Sequence, residues 1–145
     1  MFTHFAEFQT KANPTAVFAQ LDDVAQTPRW LSRCVSIAQT SGGDRAVGTT
    51  LLYTYREGSR EGTMTGRIAV RDVGQALRYE YSDKLLDVTV AFQMTAKDGG
   101  CWVRHDITIA PKSFFMKFMM PLIGMMTRKQ TAKDMATLQG LLDQF

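Results

Sequence analysis

Cysteine and histidine are scarce in this chain, which has two of each among its 145 residues. Cys34 and Cys101 follow no metal-binding or redox spacing, and a single pair is too few for a disulfide framework, so we predict two reduced thiols. His4 and His105 belong to no zinc-binding helix motif, and the chain has neither a nucleophile elbow nor a phosphate-binding glycine loop. We therefore expect no metal site and no cofactor.

Long apolar runs are also missing. A bilayer span needs roughly 20 consecutive apolar residues, and no segment reaches that length. The opening residues, MFTHFAEFQTK, lack the basic start and the apolar core of a secretory signal. No linker divides the sequence, and its length is that of one typical domain. We expect a cytoplasmic protein with a single ligand-binding domain over residues 1–145.

An excess of one charge is confined to the end of the chain. The formal net charge is +3, and residues 1–111 carry twelve basic and twelve acidic side chains. The excess lies in residues 112–145, where five basic residues face only Asp134 and Asp143. Such a balance does not favour nucleic-acid binding. It leaves open a solvated helix face, an anionic ligand tail or a weak contact with a membrane surface.

Against these absences stands one unusual segment, residues 113–126, with the sequence SFFMKFMMPLIGMM. It contains three phenylalanines, five of the nine methionines and a single charge, Lys117. Because a helix here would be apolar at every angular position, it needs protein, ligand or membrane around it. Methionine is flexible and polarizable, which suits it to lining a cavity. The segment predicts a protein built around an apolar pocket.

The N-terminal part predicts a strand over residues 2–10 followed by two short helices. Asn13 and Pro14 are typical of the cap and the first position of a helix. A second short helix is predicted from Thr27 and Pro28, and it would deliver Trp30 to the interior.

Residues 33–110 alternate strand-forming segments with turn clusters, which predicts an antiparallel meander of about six strands. The last segment, residues 113–144, predicts one long helix kinked at Pro121. Its buried stripe is expected to comprise Phe118, Leu122, Met125, Ala132, Met135, Leu138, Leu142 and Phe145. The fold class is therefore α+β, with six to seven strands wrapped around a C-terminal helix.

Alternation along the strands assigns side chains to the covered face of the sheet. All four tyrosines of the chain fall on that face, and a phenol offers apolar area with one hydrogen-bonding tip. His105 shares it, where an imidazole could exchange a proton with a ligand or simply bond to a tyrosine in the core. Asp106 faces the other way, so a His-Asp dyad is not expected. The predicted ligand-binding residues are Trp30, Tyr53, Tyr55, Tyr79, Tyr81, Phe92, His105, Phe118, Met119, Leu122 and Met126.

Several local sequences carry a family resemblance. They are NPTAVFAQLDD followed by TPRW, then AVGTTLLYTY, VRHDITIAP, and a final helix with Pro121 and the tail MATLQGLLD. In this order they resemble the START-like superfamily, also called SRPBCC, and in particular its polyketide cyclase/dehydrase and lipid-transport branch. The resemblance implies a helix-grip fold enclosing a deep hydrophobic cavity. Members of the superfamily bind lipids, sterols, polyketides or plant hormones, and some catalyse cyclisation or dehydration.

Three functions follow as hypotheses. The first, which the sequence favours, is a carrier or sensor of a lipid, polyketide-like or aromatic molecule, because an enzyme needs two convergent titratable groups and only His105 stands out. The second is a small cyclase or dehydratase that uses His105 and a tyrosine as acid and base. The third is a module that binds a membrane surface or a partner protein through the apolar helix. A homodimer through that helix or an edge strand stays open.

Overall fold

A single antiparallel sheet and a long helix make up the fold, and the computed structural model describes all residues 1–145. The elements in chain order are β1 (Phe2–Thr10), α1 (Pro14–Asp22), a 3-10 helix (Val24–Arg29), β2 (Cys34–Gln39), β3 (Thr50–Glu57), β4 (Arg60–Asp72), β5 (Ala76–Ser82), β6 (Leu86–Lys97), β7 (Gly100–Pro111) and α2 (Phe114–Leu142). The seven strands lie in the sheet in the order β1-β7-β6-β5-β4-β3-β2. This is the predicted helix-grip arrangement, with two short helices after the first strand.

The start of α1 is the predicted one. Pro14 occupies the first turn, and the Asn13 side chain accepts a hydrogen bond from the Ala16 amide at 2.8 Å. The second short helix differs from the prediction, because it is a 3-10 helix that begins at Val24 rather than at Thr27. The reason is that Asp23 supplies the capping oxygen earlier in the chain, to the Ala25 amide at 3.3 Å.

The sheet has one covered face and one wet face, as alternation predicts. On the covered face Leu51, Leu77, Phe92 and Val103 are almost completely buried. Register shifts in β2 and in β4, the latter between Ile68 and Val70, mark bulges that increase the local twist of the sheet. No helix combines the length and the hydropathy that crossing a bilayer requires.

The long helix α2 is continuous through Pro121 and is held mainly at its C-terminal half. Met135, Leu138 and Leu142 are buried in the core. Beyond them, Asp143 accepts hydrogen bonds from the Thr10 hydroxyl at 2.7 Å and from the Lys11 amide at 2.9 Å. These bonds fasten the end of the helix to the end of β1.

Several residues of the buried stripe predicted for α2 are exposed, most of them in its N-terminal half. Phe118, Leu122 and Met125 are exposed in this half. Ala132, in the other half, and Phe145, beyond the end of the helix, are exposed as well. In its N-terminal half the helix meets the rest of the protein at Gly124, where an added Cβ would lie 2.7 Å from the Phe2 ring. The prediction fails for Phe118 and Met125 because they lie on the outer side of the helix, whereas Leu122 faces open space on the inner side.

A buried carboxylate that the sequence did not reveal ties α1 to the sheet. Asp22 is 4% exposed and receives two hydrogen bonds from Arg71 of β4, both at 2.9 Å. Arg45 adds a contact at 3.5 Å. This paired geometry is the favourable one for a buried charge, because both carboxylate oxygens are bonded.

We expect Asp22→Asn to lower the free energy of unfolding by about 2 kcal/mol, since it leaves Arg71 without its charged partner. Urea unfolding at neutral pH measures the change. The matched control is Asp72→Asn, at an exposed aspartate that forms no salt bridge and should change stability little. Equal effects of the two substitutions would contradict a structural role for the Asp22 ion pair.

Candidate functional site

An apolar pocket of about 600 Å³ lies between the covered face of the sheet and the N-terminal half of α2. It is lined by 36 residues, of which 24 are hydrophobic. The 3-10 helix and its following residues close one side, strands β3 to β7 form the floor, and α2 forms the roof. The inward side chains of the sheet therefore line open space here, instead of packing against α2 as a solid core.

Ten of the eleven predicted ligand-binding residues line this pocket. Trp30 does so as a packed side chain, 7% exposed, with its ring edge-on to Phe92 at 5.9 Å. The exception is Phe118, which is 78% exposed and is not among the lining residues. Phe118 lies on the outward side of α2, which helical spacing alone does not indicate when nearly every position of the helix is apolar. The ten that line the pocket are Trp30, Tyr53, Tyr55, Tyr79, Tyr81, Phe92, His105, Met119, Leu122 and Met126.

The four tyrosines form one continuous aromatic row, although their strands β3 and β5 are separated by β4. Ring centroids are 5.9 Å apart for Tyr53 and Tyr55, 5.3 Å for Tyr53 and Tyr81, and 6.3 Å for Tyr79 and Tyr81. These separations are typical of favourable aromatic pairs. The row gives the pocket a wall of flat apolar surface with hydroxyl groups at its edge.

Two glycines in β4, which sequence reasoning missed, make room for this row. A Cβ on Gly66 would lie 2.4 Å from the Tyr81 ring, and one on Gly62 would lie 2.5 Å from the Tyr55 ring. The rings from β3 and β5 can therefore lean over β4 and approach each other. The available signal was two glycines four residues apart on one face of a strand, a position where glycine often marks a close approach.

Most of the tyrosine hydroxyls are left without a protein partner. Only Tyr79 is bonded, through its hydroxyl to the Leu21 carbonyl oxygen at 3.0 Å. Burial raises the pKa of Tyr53 and of Tyr81 well above the usual range for a phenol. At neutral pH these side chains are therefore neutral, and each can donate or accept one hydrogen bond.

His105 is buried in the pocket wall, on β7. It is 5% exposed, and its ring lies edge-on to Phe92 at 5.0 Å. Its Nδ1 atom is buried without any hydrogen-bond partner. Burial lowers the pKa of His105 to about 4, so the imidazole is neutral at physiological pH. An unpaired buried nitrogen is costly in a native protein, which makes it a candidate for contact with a ligand.

Asp106 does not assist His105. As the strand phase predicts, it points to the opposite face, where it accepts hydrogen bonds from Arg104 at 3.0 and 3.1 Å. Nearer the roof, the buried Asp134 accepts hydrogen bonds from the Ser32 amide at 3.3 Å and from Gln130 at 3.0 Å. Both carboxylates are therefore committed to protein partners.

Apart from Asp134, the charged lining residues gather at one end of the pocket. Glu57, Arg60 and Glu61, at the β3–β4 turn, are exposed, and so are Leu85 and Phe115 across from them. The β3–β4 turn, the β5–β6 turn and the start of α2 meet at this end of the antiparallel sheet. We therefore place the mouth of the pocket there.

The fold is the helix grip that the sequence predicted, a seven-stranded antiparallel sheet with a long C-terminal helix. The family described as polyketide cyclase / dehydrase and lipid transport matches residues 3–141, and the chain belongs to this family. No curated protein sequence matches the chain.

Solved structures share the fold at low sequence identity. A START superfamily protein from Mycobacterium smegmatis is 9% identical over 99% of both chains, with a TM-score of 0.81. A protein from Thermus thermophilus is 12% identical over 97% of this chain and 96% of that one, with a TM-score of 0.78. The Zhui aromatase/cyclase from a Streptomyces species is 10% identical over 97% of this chain and 93% of that one, with a TM-score of 0.76. At such identities the likeness concerns the fold alone.

Proposed function

We propose that this protein binds a small hydrophobic molecule in the pocket and acts as its carrier or sensor. The observation that carries the proposal is the apolar space of about 600 Å³ between sheet and helix. Pockets for small molecules typically measure about 300–1,000 Å³ and combine apolar walls with a few polar groups. The volume and the lining both fit that description.

The unpaired polar atoms define the ligand further. Tyr53, Tyr81 and His105 offer neutral hydrogen-bonding groups. The one buried carboxylate of the lining, Asp134, already accepts hydrogen bonds from Ser32 and Gln130. A mostly apolar molecule with one or two hydroxyl or carbonyl oxygens would match this wall, whereas an ion would lose its hydration without compensation. A polyketide-like or aromatic molecule, or a lipid with a small polar group, belongs to this class.

Catalysis is the second candidate, because His105 lines the pocket and its buried Nδ1 atom has no hydrogen-bond partner. In addition, the Zhui neighbour is described as an aromatase/cyclase. A cyclase or dehydratase would use His105 and a tyrosine as base and acid. The pKa directions argue against it: His105, with a pKa of about 4, is a weak base, and the tyrosines, whose pKa values are raised by burial, are weak acids. General acid–base groups work best with a pKa near the working pH. Binding without reaction is therefore favoured.

The direct test is native mass spectrometry of the purified protein, followed by solvent extraction of whatever is bound. We expect one apolar molecule per chain, and the emptied protein should rebind members of a panel of lipids and polyketides with a raised melting temperature. The proposal fails if nothing is extracted and no panel member binds more tightly than about 1 mM. Conversion of a panel member, lost in a folded His105→Ala protein, would favour the cyclase instead.

A further inference from the structure

A second apolar surface lies outside the pocket, on the other side of the same helix. We define the outer face of α2 as Phe114, Phe118, Pro121 and Met125. Phe114 is 87% exposed, Phe118 78% and Met125 63%. At 3.6 residues per turn these four positions fall within an arc of about 60°. None of them lines the pocket, so a ligand inside the protein leaves this face uncovered.

The charges around the outer face have one sign. No acidic residue occurs between Asp106 and Asp134. Lys117, Arg128 and Lys129 lie within about 70° of the centre of the outer face, by the same helical geometry. None of the three takes part in a salt bridge; the Arg128 guanidinium instead lies over the Phe2 ring, 5.3 Å from its centroid. The outer face is thus an apolar strip flanked by cations that have no anionic partner.

From this combination we propose that the outer face of α2 docks on an anionic lipid surface. Exposed phenylalanines can enter the boundary between headgroups and acyl chains, while lysine and arginine contact the phosphate and carboxylate groups of the lipids. A second copy of the chain fits less well, because a symmetric contact through this face would bring the cations of both copies together. The lipid surface also supplies the apolar surroundings that this half of the helix otherwise lacks.

The docked orientation places the mouth of the pocket near the lipid. Phe115 and Leu85, which line the pocket at its mouth, lie at the same end of the fold as Phe114. An apolar ligand could then pass between bilayer and pocket without crossing open water. Docking itself does not rest on the proposed ligand binding, since it uses residues that the pocket does not use.

The test is flotation of the full chain with vesicles of phosphatidylcholine alone and with about one third phosphatidylserine. We expect binding to the anionic vesicles that weakens as salt is added. The double variant Phe114→Ser/Phe118→Ser should bind these vesicles at least about tenfold more weakly, because two apolar side chains are lost from the contact. Lys117→Gln should weaken binding about fivefold, at low salt. The matched control is Phe145→Ser, the same substitution at an exposed phenylalanine just beyond the opposite end of α2.

The outcomes separate this proposal from ligand binding. The double variant should retain the extracted ligand and its melting temperature, because neither phenylalanine lines the pocket. No flotation with anionic vesicles at low salt, or an equal loss in Phe145→Ser, would overturn docking. Dimerisation in sedimentation experiments that the double variant abolishes, without vesicle binding, would overturn it in favour of self-association. If the unmodified protein binds anionic vesicles but yields no extractable ligand and binds no member of the panel, the result counts against the proposed function alone.

Discussion

Val90→Trp should weaken ligand binding at least about 100-fold while the protein stays folded. Val90 lies on β6, opposite Ile107 of β7, and both side chains line the floor of the pocket. The larger indole can extend into existing space instead of displacing packed neighbours, so the usual cost of overpacking is reduced. A ligand would then compete with the indole for the same volume. Titration with the extracted molecule measures the loss, which corresponds to about 2.7 kcal/mol of binding free energy.

The matched control for this prediction is Thr89→Trp. Thr89 is the neighbouring residue on the same strand, and alternation turns its side chain to the opposite face of the sheet. It does not line the pocket. Binding in this variant should match the unmodified protein. If Val90→Trp keeps its fold and still binds the ligand with unchanged affinity, the ligand does not occupy the space above β6 and β7.

Lowering the pH from 7 to 4 should reduce the free energy of unfolding by about 3 kcal/mol through His105 alone. Each unit of difference between the unfolded-state and folded-state pKa corresponds to about 1.4 kcal/mol. Burial lowers the pKa of His105 from 6.5 to about 4, with a smaller raising effect from Asp106 and a smaller lowering effect from His4. Between these two pKa values the unfolded chain binds a proton that the folded protein does not. Unfolding is therefore favoured progressively as the pH falls. The stability that the protein has with a neutral His105 is therefore fully present above the unfolded-state pKa of 6.5, and it is lost as the pH falls to about 4.

Urea unfolding of His105→Leu at the two pH values isolates this effect from the carboxylates that titrate in the same range. The variant should be at least as stable as the unmodified protein at pH 7, because it removes the unpaired Nδ1 atom. At pH 4 the variant should be more stable than the unmodified protein at the same pH by about 3 kcal/mol. His4→Leu, at a half-buried position on β1, should keep most of the acid-dependent loss. An identical loss in His105→Leu would show that His105 is not buried as a neutral imidazole.

Local patterns in the sequence were sufficient for the elements and for most of the pocket wall. Asn13 and Pro14 marked the first helix because capping depends on neighbouring residues alone. Alternation placed Tyr79, Phe92 and His105 on the covered face because the two-residue period of a strand leaves no other choice once one side is buried. The register of a meander then brings such residues together, since each strand pairs with the next.

Contacts between residues far apart in the chain could not be predicted from local sequence patterns. The pairing of Asp22 with Arg71 joins residues 49 positions apart, and the fit of Gly66 against Tyr81 depends on how two strands align. Neither leaves a local periodicity in the sequence. The 3-10 helix begins earlier than predicted because Asp23 is its capping residue.

The sequence by itself determined the order of the elements and the inward residues of the strands, because both follow from local propensity and the alternation of apolar with polar side chains. The family and its helix-grip fold were indicated by a resemblance in local sequences, which the family match over residues 3–141 bears out. Only the tertiary structure decided which side of α2 roofs the pocket and which side faces outward. In residues 113–126 nearly every position is apolar, so periodicity carries no direction there. The direction comes from long-range packing: Gly124 against Phe2 and the buried Met135, Leu138 and Leu142 set the rotation of the helix, and that rotation leaves Phe118 on the surface.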